Sequence, residues 1–140
     1  MLDSTPLYMA SRGGHTEVVH VLLDKGADPN KEDHVGRNPL HMAARWGHVD
    51  VVRKLLDNGV DHNVRGHDVR GNCGNTALDF AAQEGHKDVV QLLLDKGADP
   101  NTGDNNGYTA IHKAAVSGHT HVVKLLLQGG ANPPAQTNNA

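Results

Sequence analysis

The sequence predicts an all-α fold, a solenoid of stacked antiparallel helix pairs. Three marks recur in one register along its 140 residues: a helix-capping residue, a Gly-His pair and a glycine that ends a helix. Successive copies of each mark are 33, 38 and 33 residues apart. Because three independent marks keep the same spacing, the chain consists of four copies of one unit. The helix-opening residues are Thr5, Asn38, Thr76 and Thr109, the Gly-His pairs begin at Gly14, Gly47, Gly85 and Gly118, and the stop glycines are Gly26, Gly59, Gly97 and Gly130.

The first helix of the unit is clearest in the third copy, within residues 74–101. Thr76 precedes a helical run and Asp79 follows three residues later, so the two residues predict a capping box. The helix is predicted over residues 77–83, which is about two turns. Gly85 then allows the backbone to leave helical geometry.

The second helix of the same copy is predicted over residues 87–96. Asp88 in its first turn and Lys96 in its last turn both complement the helix dipole, and Gly97 stands where a left-handed residue ends a helix. Valine and leucine cover almost every side of this helix. It therefore needs a packed neighbour on each flank.

The motifs of the first helices are similar to the signature of a known family. They read TPLYMA at 5–10, NPLHMA at 38–43, TALDFA at 76–81 and TAIHKA at 109–114, and they resemble the T-P-L-H-x-A signature of the ankyrin repeat family. The resemblance covers nearly the whole chain and implies a right-handed stack with hairpin-like finger loops projecting beside a concave groove. Asn38 and Asp79 can cap in place of the family residues. The Tyr8 side chain cannot cap the helix in this way, so we expect the first repeat to be looser.

The repeats are predicted at about 1–32, 33–65, 71–103 and 104–132, within one domain covering 1–132. The exit from the second repeat is five residues longer than the other exits, which predicts an insertion near 66–70 and one long finger. Residues 133–140 are interpreted as a polar tail or as the start of a truncated fifth repeat. The last helix is as apolar as the internal ones, which favours a segment of a longer array. The alternative is a natural four-repeat protein whose proline-rich tail folds over the end.

Composition excludes several classes of function. A net charge of −3 gives no general attraction to nucleic acid or to an anionic membrane. A core with 3% aromatic residues must consist of leucine, valine and alanine. Cys73 is the single cysteine, so an internal disulfide is excluded and a reducing compartment is compatible. With no apolar run long enough to span a bilayer and no signal peptide, we expect an intracellular protein, cytoplasmic or nuclear.

The eleven histidines invite a metal hypothesis, but most belong to the repeat. Four follow the glycine in the turn between helices and two lie at the first-helix cap. The long finger also holds possible zinc ligands, His62, His67, Asp61, Asp68 and Cys73, but their spacing matches no closed zinc site. A solvated polar loop is the favoured interpretation, with no metal and no cofactor. No set of nucleophile, base and oxyanion donor can be assembled, so the protein is not expected to be an enzyme.

Positions at which the four copies differ are free to carry specificity, because the shared positions hold the fold. The resemblance implies a non-catalytic module that binds a partner protein or peptide through the groove and the fingers. By the family's geometry, finger tips and the ends of the first helices face the groove. Carried over to this sequence, the set is Arg12, His34, Val35, Arg37, Arg45, Trp46, Asn72, Asn75, Gln83, Glu84, Asn105, Asn106, Tyr108, Val116 and Ser117.

Trp46 is the only tryptophan, and we expect it to be exposed in the groove, the alternative being a residue that braces the next finger. Five of the six arginines fall on the groove or finger side: Arg12, Arg37, Arg45, Arg65 and Arg70. They indicate an acidic partner surface, because guanidinium binds carboxylate in a bidentate manner. The alternatives are a nucleic-acid or acidic-ligand adaptor and an engineered binding scaffold. A monomer is expected, with weak end-to-end association through the uncapped terminal repeats.

Overall fold

The computed structural model describes residues 4–67 and 73–132. Within these ranges the chain forms eight α-helices and no strand, which confirms the all-α prediction. The odd-numbered helices contact one another in sequence and form one layer, the even-numbered helices form a second layer, and each repeat joins one helix of each. The helices are α1 (Pro6–Gly13), α2 (Thr16–Asp24), α3 (Pro39–Arg45), α4 (Val49–Asp57), α5 (Ala77–Glu84), α6 (Lys87–Asp95), α7 (Ala110–Val116) and α8 (Thr120–Gln128).

Capping side chains begin the first helices of the repeats as the sequence predicts. In the third repeat Asp79 Oδ2 accepts a hydrogen bond from the Thr76 backbone N–H at 2.9 Å, and Thr76 Oγ1 accepts one from Asp79 at 3.3 Å. In the second repeat Asn38 Oδ1 accepts from the His41 backbone at 2.9 Å, while His41 Nδ1 accepts from Asn38 at 3.0 Å. Each box therefore satisfies two backbone donors that the first helical turn leaves free.

The Gly-His pairs join successive repeats. Gly47 follows α3 in a left-handed conformation with φ 75°, and an added Cβ there would lie 2.6 Å from the His86 ring. His86 Nε2 in turn donates to the Arg45 carbonyl at 2.8 Å. His48 and His119 make the equivalent bond to the preceding repeat, to the Arg12 and Gln83 carbonyls. These three histidines are structural, because each binds a carbonyl left unpaired at the end of a helix.

The core is built from small aliphatic side chains. Ala43, Ala44, Ala81 and Ala82 are completely buried, and Phe80 packs among them on α5. Alanine at these positions lets α3 and α5 approach closely. The equivalent Ala115 is exposed, since no further repeat covers it in the described part of the chain.

The two short fingers close in the same way around an aspartate. Asp33 Oδ1 accepts from the backbone N–H groups of Val35 and Arg37, at 3.0 and 2.9 Å, and the Asp33 N–H donates to the Arg37 carbonyl at 2.8 Å. Asp104 makes the same three bonds to the finger that ends at Tyr108. In each short finger, a buried aspartate carboxylate thus accepts hydrogen bonds from backbone N–H groups that have no partner strand.

The long finger closes by backbone pairing instead. Gly66 and Asn75 form an antiparallel bridge through two hydrogen bonds of 2.8 Å. Gly66 is buried, and an added Cβ would lie 2.9 Å from the Gly36 carbonyl oxygen, so the two fingers touch at this position. Gly66 therefore forms the base of the finger and is not part of the insertion.

Contacts between fingers give the position of the insertion. The His67 N–H donates to the Val35 carbonyl, and the Asn105 N–H donates to the Cys73 carbonyl, at 3.2 and 3.1 Å. His67 and Cys73 thus take the two tip positions of a short finger. This alignment assigns the five extra residues to 68–72, where the sequence predicted an insertion near 66–70. Residues 68–72 lie outside the described ranges.

Tyr8 does not loosen the first helix. Its side chain is buried, and its hydroxyl donates to Asp33 Oδ2 at 2.7 Å. Burial, together with the hydrogen bond to Asp33, raises the pKa of Tyr8 to about 12. The expectation of a looser first repeat is therefore wrong for α1, because Tyr8 ties this helix to the first finger.

Candidate interaction surface

The ends of the odd-numbered helices carry the residues that vary between repeats. Arg12 lies at the end of α1, Arg45 and Trp46 at the end of α3, and the remaining members are Gln83, Glu84, Val116 and Ser117. Because histidines of the following repeats bind the carbonyls of Arg12, Arg45 and Gln83, the backbone that presents these side chains is fixed.

Trp46 is 46% exposed, in agreement with the expectation from the sequence. The guanidinium carbons of Arg45 and Arg12 lie 5.3 and 5.9 Å from the centre of its ring, within the range of a cation–π interaction. An open depression of about 350 Å³ lies beside the ring, lined by Met9, Arg12, Gly13 and Trp46. We call these four residues the Trp46 depression.

A second depression of about 330 Å³ lies in the last two repeats. Tyr108 and Val116 are exposed on its rim, and the Tyr108 ring meets His112 edge-on at 5.7 Å. We call it the Tyr108 depression, and its lining residues are Gln83, Asp104, Tyr108, His112, Lys113, Val116 and Ser117.

The finger residues separate into exposed and buried sets. His34, Asn105 and Asn106 are exposed, and Val35 is partly buried. Asn75 is completely buried, so its prediction as a partner-binding residue is wrong. Its backbone pairs with Gly66, and its side-chain oxygen accepts a hydrogen bond from Lys113. Asn72 lies outside the described ranges.

The predicted arginine cluster divides into arginines that bind other groups of the protein and arginines that lie beside Trp46. Arg37 is 14% exposed and its Nε donates to Asp33 Oδ2 at 2.9 Å, inside its own finger. Arg65 Nη1 donates to the Gly103 carbonyl at 2.9 Å and so links two fingers. Arg70 lies outside the described residues. Arg12 and Arg45 are therefore the pair that the structure brings together beside Trp46.

The second half of the chain contains a buried polar cluster that was not predicted from the sequence. Lys113 Nζ lies 3.0 Å from Asp104 Oδ2 and 3.9 Å from Asp79 Oδ2, and it also donates to Asn75. Met42 occupies the equivalent position in the second repeat. A charged residue at an apolar position of the motif was the signal that could have revealed this cluster.

The two carboxyl groups of the cluster respond differently to burial. Burial raises the pKa of Asp79 above its usual value, against the opposing effect of the Lys113 charge. Burial also acts to raise the pKa of Asp104, but hydrogen bonds from Lys113 and from the finger backbone outweigh it and lower the pKa. Asp104 is therefore the carboxylate that Lys113 holds ionised.

The long finger was the candidate metal site. His67 Nδ1 lies 2.9 Å from Cys73 Sγ. Within 4–67 and 73–132 no group of three or more histidine, cysteine, aspartate and glutamate side chains could hold a metal ion. Asp68, which the sequence analysis grouped with them, lies outside these ranges.

Comparison with known proteins identifies the repeat. A family model described as ankyrin repeats, three copies, matches residues 2–66 and residues 63–137. The chain belongs to the ankyrin repeat family. Ankyrin repeats are generally protein–protein interaction modules and are typically not enzymes. A search of curated proteins found no match to this ankyrin chain. None of the helices described for it is long and apolar enough to cross a bilayer.

Proposed function

We propose that this ankyrin chain is a non-catalytic interaction module that binds a partner protein or peptide in its concave groove, with Trp46 as the central contact. The observation that carries the proposal is the exposed tryptophan between two arginine side chains at the ends of α1 and α3. Tryptophan and arginine are the residue types that most often dominate the energy of an interface. Finger residues such as His34, Asn105 and Asn106 would form the rim.

The family gives the class of function, and the positions of Arg12, Arg45 and Trp46 suggest where it resides. The fold does not need an exposed tryptophan at this position, since Glu84 stands there in the next repeat. A large apolar ring that is left half in water loses part of its burial energy unless a partner covers it. We place the protein in the cytoplasm or nucleus, which suits a chain that cannot form an internal disulfide.

A nucleic-acid adaptor has less support. Its affinity would come from several basic side chains on one surface, but Arg37 and Arg65 bind groups of the protein itself, and the net charge is −3. Titration with mixed oligonucleotides at low salt tests this alternative directly.

The proposed state in solution is a monomer with a tendency to associate end to end. Val18 on α2 is half-exposed, whereas the equivalent Val51 and Val89 are completely buried between repeats. Leu127 on α8 is partly exposed at the opposite end. Sedimentation at increasing concentration, with Val18→Lys as the comparison, measures this association.

The test of the proposed function is differential capture of partners from an extract of the cells that make the protein. We expect at least one protein to be retained by the wild type and by Arg53→Ala, and to be lost with Trp46→Ala. Arg53 is a suitable control because it is exposed on α4 in the same repeat. An identical set of captured proteins for all three chains would reject the groove as the binding site.

A further inference from the structure

We infer that the Trp46 depression binds an acidic peptide segment, in which one large apolar side chain lies against Met9 and Trp46 while neighbouring carboxylates bind Arg12 and Arg45. The inference rests on the proposed function and specifies the chemistry of the partner. It follows from the way in which apolar and charged groups are placed at one point of the surface.

The apolar part of the depression is open to solvent. Met9 and Trp46 are each 46% exposed, although they lie on consecutive repeats that pack against each other. Methionine adapts its shape to different apolar groups, and the indole offers a rigid, flat surface. A ligand side chain that covers both would remove an exposed apolar patch from water.

Gly13 keeps the depression open. A Cβ at this position would lie 2.7 Å from the His15 ring, so a side chain there would have to displace that ring. The equivalent residue in the next repeat is Trp46 itself. The absence of a side chain in the first repeat therefore leaves room beside the indole for a group from a partner.

Two arginines supply the charge here: Arg12 lines the depression, and Arg45 lies against the Trp46 ring beside it. Within 4–67 and 73–132, the arginine that forms an ion pair is Arg37. No ion pair in these ranges joins Arg12 or Arg45 to a carboxylate. The aromatic ring holds both guanidinium groups near its face. An ordered guanidinium can accept a carboxylate in a bidentate manner at a reduced entropic cost.

At the last residues of the first helices, a positive charge occurs only in the first two repeats. Gln83 occupies the position of Arg45 in the third repeat, and Glu84 occupies that of Trp46. In the fourth repeat Val116 and Ser117 stand there. Acidic groups of a ligand are therefore complementary to repeats one and two, and a ligand rich in lysine would meet two like charges there.

The experiment uses the full chain and three synthetic peptides. The first is Gly-Asp-Glu-Leu-Glu-Asp-Gly, the second replaces the leucine with glycine, and the third replaces each acidic residue with lysine. Since Trp46 is the only tryptophan, its fluorescence reports binding at this depression. Calorimetric titration gives an independent dissociation constant.

We expect the first peptide to produce a saturable change in the emission of Trp46, weakened by added salt. The peptide without leucine should bind at least about tenfold more weakly, because it lacks the apolar contact. Arg45→Glu should weaken binding of the first peptide by at least about tenfold, while Arg53→Glu should leave it unchanged. Circular dichroism confirms that both variants are folded.

Four outcomes would overturn the inference. Three of them are equal binding of the lysine peptide, an equal loss in Arg53→Glu, and the absence of saturable binding of the first peptide up to millimolar concentration. A fourth is a change in Trp46 emission with protein concentration alone, which would show that a second copy covers the depression. In each case the proposed function still stands if Trp46→Ala loses captured partners.

Discussion

The first two repeats and the last two place their charged side chains in different surroundings. At the ends of the first helices, the first half carries Arg12 and Trp46, which are exposed, and Arg45, which is partly exposed. In the second half, Lys113 reaches from α7 into a buried cluster with Asp79 and Asp104. The two arginines lie at the surface beside Trp46, whereas the lysine is buried and paired within the fold. Substitution of the arginines in the first half should therefore affect binding, and substitution of Lys113 in the second half should affect stability.

The largest effect on stability is expected from Lys113→Met. The substitution restores the residue type of the second repeat but leaves Asp79 and Asp104 buried without their cation. Breaking a buried ion pair in this way costs about 3–5 kcal/mol. Urea denaturation measures the loss, with Lys124→Met on the exposed face of α8 as the control. A loss no larger than that of the control would show that the cluster is unimportant.

The next largest effect concerns pH and compares His41 with its third-repeat equivalent, Asp79. Burial lowers the pKa of His41 from 6.5 to about 4. Between these values the unfolded chain binds a proton that the folded chain does not, so stability falls as the pH drops, by about 3 kcal/mol in all. The raised pKa of Asp79 acts in the opposite direction, because the folded chain binds its proton first.

Urea denaturation at pH 7 and at pH 4.5 measures this loss. His41→Asn keeps a neutral acceptor at the cap and should remove most of the difference between the two values. His20→Gln, at a more exposed position on α2, should retain it. The assignment to His41 fails if His41→Asn shows the same pH dependence as the wild type.

The smallest effect is expected from shortening the long finger. Deletion of residues 68–72 leaves His67, Cys73 and Gly74 between Gly66 and Asn75, the same number as in the short fingers. Loop-closure entropy then changes stability by only about 1 kcal/mol. Calorimetry should still show one cooperative transition. Its loss would mean that the insertion contributes to the stack.

Local signals made most of the fold predictable. The Thr76–Asp79 box, the left-handed Gly85 and the second helices depend on residues a few positions apart, and all are observed. The insertion could be placed only near 66–70 from the sequence, because fingers vary between repeats and the pairing of Gly66 with Asn75 is what shows the base of this finger.

The site was less predictable because burial is set by distant residues. Asn75 varies between repeats, as a binding residue does, but Lys113, 38 positions later, covers it. Tyr8 departs from the motif, yet Asp33 compensates across the finger. The exposure of Trp46 could be predicted because the register of the repeat determines its position at the end of α3.

The most direct test of the account compares Trp46→Ala with Phe80→Ala. Phe80 is a core residue, and its loss should cost about 3–5 kcal/mol. Trp46 is half-exposed, so its loss should cost only about 1–2 kcal/mol, while binding of the acidic leucine peptide, measured by calorimetry, becomes at least about tenfold weaker. A Trp46 variant as unstable as the Phe80 variant, or one that binds the peptide like the wild type, would contradict the assignment of Trp46 as the binding residue.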